Sequence, residues 1–273
     1  MKRTLISALV AGCVGLASFA AAAGTVVVNG STTVLPAMQK ISETFMAKHK
    51  DIQVSLSGGG SGHGIKSLMD KTTDVAMASR DMKPAEVENV KKNGGEAVRF
   101  TVAIDAIVPV VHPKNTVKDL SLQQIRDIYA GRITNWKEVG GADARITVVS
   151  RDSSSGTFET WEELVMKGER VQQRALLQAS NGAVLQTIAK NPNAIGYVGL
   201  GYLTKDIKGI EIGGMKATMK TAETRQWPLS RELYLFTNGQ PTGDTKTLID
   251  FALSPEGQVS VKEVGFVPLP SKK

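Results

Sequence analysis

The chain of 273 residues contains one cysteine, Cys13, and it lies within an N-terminal stretch that reads as a removable signal. The mature protein then has no disulfide, no thiol nucleophile and no cysteine-based metal site. Histidine is scarce too. His49, His63 and His112 stand far apart without metal-ligand spacing. His49 and His112 read as surface or turn residues, and His63 as a candidate site-lining residue inside a glycine-rich turn. Lys and Arg are spread along the chain, and the basic block with interleaved aromatics expected of a nucleic-acid binder is missing. After the N-terminus no apolar run reaches the roughly 20 residues of a membrane span. Internal repeats, heptads and low-complexity linkers are also absent.

What is present begins with Lys2 and Arg3, an apolar run from Leu5 to Phe19, and Ala20 to Ala23. Charge, apolar stretch and small residues in that order make a secretory signal, here residues 1–23. Val10-Ala11-Gly12-Cys13 resembles a lipobox, but Val14 to Ala23 stay apolar where a polar tether would follow. Cleavage after Ala22 or Ala23 is therefore expected over lipid anchoring at Cys13, which places the mature protein in the periplasm or outside the cell. Loss of Lys2 and Arg3 lowers the formal net charge from +7 to +5. A mild positive field of this kind suits the attraction of small anions.

Short β-branched runs alternate with helical patterns, the signature of an α/β protein with parallel strands. Strands are expected at 25–28, 52–56, 75–78, 103–111, 146–149, 194–198 and 231–237. Helices are expected from Pro36, Ile65, Pro84, Leu122, Thr157, Ala183 and Thr247. The run Ala103 to Val111 is interrupted only by Asp105 and is long enough to pass from one lobe to another. With no linker between sequential domains, a split arrangement fits: 24–107 plus 227–273 as one lobe and 108–226 as the other. Trp136, Trp161 and Trp227 are expected to be core residues.

One pattern occurs three times. Strands run into Asn29-Gly30-Ser31-Thr32-Thr33, into Ser57 through Gly64, and into Ser150 through Thr157, each followed by a helix. The first turn of a helix carries unpartnered N–H groups and partial positive charge. Glycine admits an anion close to the backbone, and hydroxyls add neutral donors. Singly, each turn reads as an ordinary N-cap. Three at the same ends of parallel strands point to a ligand site, since open α/β sheets bind there. A P-loop is excluded because Ile65 stands where the lysine must follow Gly64. Ser61 also fails the nucleophile-elbow pattern, because His63 takes the final glycine position. Arg151 offers a planar fork of donors to an oxyanion, with pairing to Asp152 as its other reading. Arg80 is a second candidate.

These residues resemble the phosphate-binding proteins of high-affinity phosphate ABC importers. The similarity runs through Gly30 to Pro36, Ser61, Ala78-Ser79-Arg80, Asp105 to Val108, Ile128 to Trp136, Arg151 to Thr157, Ala194 to Tyr197, Pro228 to Arg231 and Leu253 to Gly257. It implies a two-lobed type II periplasmic-binding-protein fold with a two-strand hinge and a ligand cleft between the lobes. The ligand, inorganic phosphate, would meet Thr32, Thr33, Val34, Ser61, Arg151, Ser155, Gly156 and Thr157, with Arg80 and Asp105 as further candidates. The partners implied are an importer permease and its ATPase. No cofactor, metal or catalytic residue is expected, and the chain is expected to be monomeric. Studied members place carboxylates where this chain has Arg80 and Ser153. The acceptor for a phosphate proton is then Asp105, Asp81 or Asp152. Asp105 is the first choice, and its other reading is a strand-end cap or a partner for an arginine. Two alternatives keep less of the resemblance: another tetrahedral oxyanion such as sulfate or molybdate, or a secreted hydrolase, which would lack a base paired with a turn serine.

Overall fold

A computed structural model describes residues 24–270. The expected signal, with Cys13 and its lipobox-like neighbours, lies outside the described residues. The strands are β1 (Gly24–Gly30), β2 (Ile52–Gly58), β3 (Val75–Ala78), β4 (Ala97–Val111), β5 (Asp119–Leu120), β6 (Thr147–Arg151), β7 (Leu176–Gln178), β8 (Ala194–Gly199), β9 (Lys208–Gly209), β10 (Glu211–Ile212) and β11 (Ser230–Asn238). The helices are α1 (Leu35–Lys48), α2 (Ser61–Met69), α3 (Pro84–Lys92), α4 (Leu122–Ala130), α5 (Gly156–Trp161), α6 (Asn181–Lys190), α7 (Met219–Glu223), α8 (Gly243–Leu253) and α9 (Pro255–Glu263).

The main sheet runs β2-β1-β3-β11-β4-β8-β6-β7, with β9 on the far part of β4. β1 pairs in parallel with β2 and β3, and β6 in parallel with β7 and β8. Joining these two parallel groups are β4 and β11, which pair antiparallel from Ala97↔Asn238 to Ala106↔Ser230. β4 then goes on alone, pairing Ile107–Val111 with β8. One strand thus belongs to both halves of the sheet, as the uninterrupted apolar run from Ala103 suggested.

Burial follows the same division. One core gathers Val26 and Val28, Ile41 and Phe45, Leu233 and Leu235, and Leu248 and Ile249. A smaller one lies under α2 and α3, around Ile65, Leu68 and Phe236. The largest core collects Ile107 to Val111 with Ile128, Trp136, Trp161, Tyr197 and Trp227. All three tryptophans are buried. Trp161 stacks on Tyr197 with centroids 4.2 Å apart. Trp227 Nε1 donates to the Ile107 carbonyl at 2.9 Å. Trp227 and Leu229 pack in this largest core, and Leu233 and Leu235 in the first. Helix ends follow their caps: Ser121 Oγ accepts from Gln124 N–H, and Gly131 closes α4 in the left-handed conformation. No described helix is long and apolar enough to cross a membrane.

Candidate functional site

The three turns converge in the structure. After β1, Ser31, Thr32, Thr33 and Val34 are all buried ahead of α1. Gly30 has φ 137°, and a Cβ there would lie 2.2 Å from the Met77 carbonyl oxygen, so only glycine fits. Its own carbonyl accepts from Gly59 and Gly60 N–H, both at 2.9 Å, which ties the first turn to the second.

In the second turn α2 starts at Ser61, four residues before the expected Ile65. The glycine-rich segment shortens to Gly58–Gly60, with Gly60 at φ 100° as the N-cap, and Gly62 and Gly64 belong to the helix. Ser61 is fully buried; its Oγ accepts from Ser79 N–H at 3.0 Å and lies 3.3 Å from Ser79 Oγ.

In the third turn β6 extends through Arg151, so Arg151 ends a strand instead of standing within a loop. Ser155 caps α5, accepting from Phe158 N–H at 3.2 Å. The guanidinium of Arg151 is buried and donates from Nε to the Gln178 carbonyl at 2.9 Å, and from Nη2 to the Ala179 carbonyl at 3.0 Å and to Thr32 Oγ1 at 3.4 Å. Its Nη1 has no partner among the described residues. Burial pulls the Arg151 pKa below the ordinary arginine value, against the attraction of Asp152. Asp152 itself lies at 4.0 Å from Nη2. The ion pair read from the sequence is therefore at most marginal, and the guanidinium keeps one edge free to donate.

These groups meet across the boundary between the two cores. Thr33 Oγ1 and Thr157 Oγ1 are 2.9 Å apart. Gly62 N–H donates to the Ser154 carbonyl at 2.9 Å, and Ser154 Oγ to the Gly59 carbonyl at 3.1 Å. A Cβ on Gly156 would come within 2.3 Å of Ser61 Oγ. Thr32, Thr33, Val34, Ser61, Arg151, Ser155, Gly156 and Thr157 thus form one buried, hydroxyl-rich cluster.

Arg80 does not join it. Its guanidinium bonds Glu86 at 2.7 and 2.9 Å and lies 2.6 Å from the Glu159 carboxylate, on the flank of the cleft. Carboxylates on two sides already neutralise this cation. Asp81 pairs with Arg99 on the surface. His63 is exposed. Asp105 is fully buried and accepts from Arg231 Nη2 at 2.8 Å, Arg231 Nε at 3.0 Å and Leu200 N–H at 2.9 Å. Burial raises its pKa above the ordinary aspartate value, and the charge and hydrogen bonds of Arg231 oppose the rise. Its reading as the partner of an arginine is the one that the geometry realises.

Sequence reasoning missed two residues. Arg231 ends the Pro228 to Arg231 stretch without a local signal of its role; its Nη2 reaches Thr157 Oγ1 at 3.0 Å and Thr33 Oγ1 at 3.4 Å. Asn181 opens α6 after β7 and Ser180, a fourth strand–turn–helix passage whose short strand carries little signal. Ser180, an N-cap type ahead of an apolar period, was the available clue. No group of three or more His, Cys, Asp or Glu side chains that could hold a metal comes together among the described residues.

Residues 17–256 match the family model described as a PBP superfamily domain. The chain belongs to the PBP superfamily. Among its relatives there, the phosphate-binding protein PstS of Bacillus subtilis is 31% identical over 92% of this chain and 83% of its own length. PstS of Borreliella burgdorferi is 32% identical over 88% of each chain. A phosphate ABC transporter substrate-binding protein of Clostridium perfringens, solved with bound phosphate, superposes with a TM-score of 0.85 at 34% identity, covering 90% of this chain and all of that one. An ABC-type phosphate transport receptor of Vibrio cholerae gives 0.72 at 31%, with the same coverage. The superfamily places the two-lobed architecture among type II periplasmic-binding proteins.

Proposed function

We propose that this chain is an extracytoplasmic receptor that captures inorganic phosphate between its lobes and delivers it to an ABC importer. The observation that carries the reading is the buried cluster itself. Hydroxyls from both sides of the cleft meet beside Arg151, whose Nη1 is buried without a partner among the described residues. A buried polar group of this kind costs free energy unless a ligand or solvent meets it. A tetrahedral oxyanion supplies several acceptor atoms at once. The relatives named for phosphate binding choose among the oxyanions.

The protein binds without turnover on this reading, as a monomer, with an importer permease and its ATPase as partners. The turn serines support that view. Ser61 Oγ bonds Ser79 and Ser155 Oγ caps its own helix, and neither has a histidine or free carboxylate as base.

Calorimetry on protein stripped of bound anion tests the proposal. Phosphate should bind tightly near neutral pH, sulfate should compete poorly, and a phosphate ester should yield no free phosphate. No heat with phosphate would overturn the reading, and equal competition by sulfate would favour a general oxyanion receptor.

A further inference from the structure

Asn181 is fully buried and reaches across the cleft. Its Oδ1 accepts from Gly199 N–H at 3.2 Å, and since that N–H can only donate, the amide orientation is fixed. Nδ2 then faces Thr32 Oγ1 at 3.1 Å and Thr33 Oγ1 at 3.0 Å. Thr32 Oγ1 also receives Arg151 Nη2 and Asn181 N–H, both at 3.4 Å. Thr33 Oγ1 also receives Arg231 Nη2 at 3.4 Å. Thr32 Oγ1 is therefore ringed by groups that only donate, and Thr33 Oγ1 by two such groups and the Thr157 hydroxyl. A hydroxyl has two lone pairs and one proton, so once its lone pairs are taken its proton must be given elsewhere. The Thr33 proton goes to the ligand or to Thr157 Oγ1, which receives Arg231 Nη2 as well and passes its own proton on.

We propose that Asn181 is a positioning residue that makes the Thr32 and Thr33 hydroxyls obligate donors and thereby selects the phosphate dianion over the monoanion. The inference rests on the phosphate reading above. Hydroxyls whose lone pairs are taken give the second acidic proton of the monoanion no acceptor, whereas each can still donate to a bare oxygen of the dianion. A site built around one hydrogen-bond polarity rejects a ligand of the other.

The charged and titratable groups around the hydroxyls are Arg151 from β6, Arg231 from β11, Asp105 from β4, Tyr197 from β8, Tyr202 beyond it, and Asp152 at the third turn. Burial pushes Tyr197 and Tyr202 up to about 12. All six are shared by the parent and an Asn181 variant, so the ratio of their affinities isolates the amide.

The test measures phosphate binding at pH 6 and pH 8 in the parent, Asn181→Ala, Thr33→Val and the double variant. Asn181→Ala should weaken binding about tenfold or more at pH 8, and at least about threefold less severely at pH 6, because freed hydroxyls can turn and accept. In the Thr33→Val background the loss at pH 8 should shrink by at least about threefold. If Asn181→Ala does not fold, Asn181→Ser, which adds no charge, takes its place in the same cycle with Thr33→Val. Equal losses at both pH values, additive with Thr33→Val, would overturn the inference and leave phosphate binding untouched. A parent that takes up no phosphate at either pH would overturn both.

Discussion

Arg151 and Asp105 are both buried, but only one has spare hydrogen-bonding capacity. Arg151 spends three bonds on neighbouring groups, and its Nη1 has no partner among the described residues. Truncating one partner of a buried, hydrogen-bonded charge pair costs roughly 2–5 kcal/mol. Arg151→Ala should therefore weaken phosphate binding at least ~30-fold in calorimetry, with the far-UV spectrum unchanged. Arg151→Lys should also bind more weakly, since an ammonium lacks the fork. Asp105 is occupied by Arg231 and by Leu200 N–H. Asp105→Asn leaves the buried Arg231 uncompensated, and urea unfolding should report a loss of about 3–5 kcal/mol. Phosphate should still outcompete sulfate in this variant, which would take the proton-acceptor role from Asp105 and leave it to Asp81 or Asp152. Collapse of that preference would return the role to Asp105.

At the scale of elements, much was legible where the chemistry is local. Three strands ending in Ser, Thr and Gly ahead of helices could be read directly, because turn residues and apolar periods are short-range signals. Gly131 and the Ser121 capping box announced both ends of α4. The start of α2 was misplaced, because Gly62 and Gly64 look like turn residues. Gly64 is required instead by packing, as a Cβ there would meet the Asn29 carbonyl oxygen at 2.6 Å. β7 escaped notice because three residues on a sheet edge carry almost no period, and Asn181 went unseen with it. Arg80 misled for a related reason. Its counter-ions Glu86 and Glu159 come from two different helices, and only the folded backbone brings them to it. Local pattern found most helix starts but not that of α2, and tertiary contact decided which side chains face the cleft.

For the whole molecule the central question is closure. Gly156 touches Ser61 and Ser79 across the boundary between the cores, and a Cβ there would lie 2.3 Å from Ser61 Oγ and 2.9 Å from Ser79 Oγ. A lobe on its own would accept alanine at this position without strain, since alanine favours helix over glycine. Gly156→Ala should thus lower phosphate affinity about tenfold or more through overpacking of the closed form. The melting temperature of the phosphate-free protein should stay close to the parent's, and small-angle scattering should show less compaction on adding phosphate. The shared strands have a consequence of another kind. β11 lies between β3 and β4, so the centre of the first half-sheet is supplied by Ser230–Asn238, near the end of the chain. The β1–β4 segment therefore cannot close its core until a strand more than a hundred residues further along has been made. Such long-range pairing slows folding, and a chain cut short of Ser230 would leave β3 and β4 without the strand that joins them.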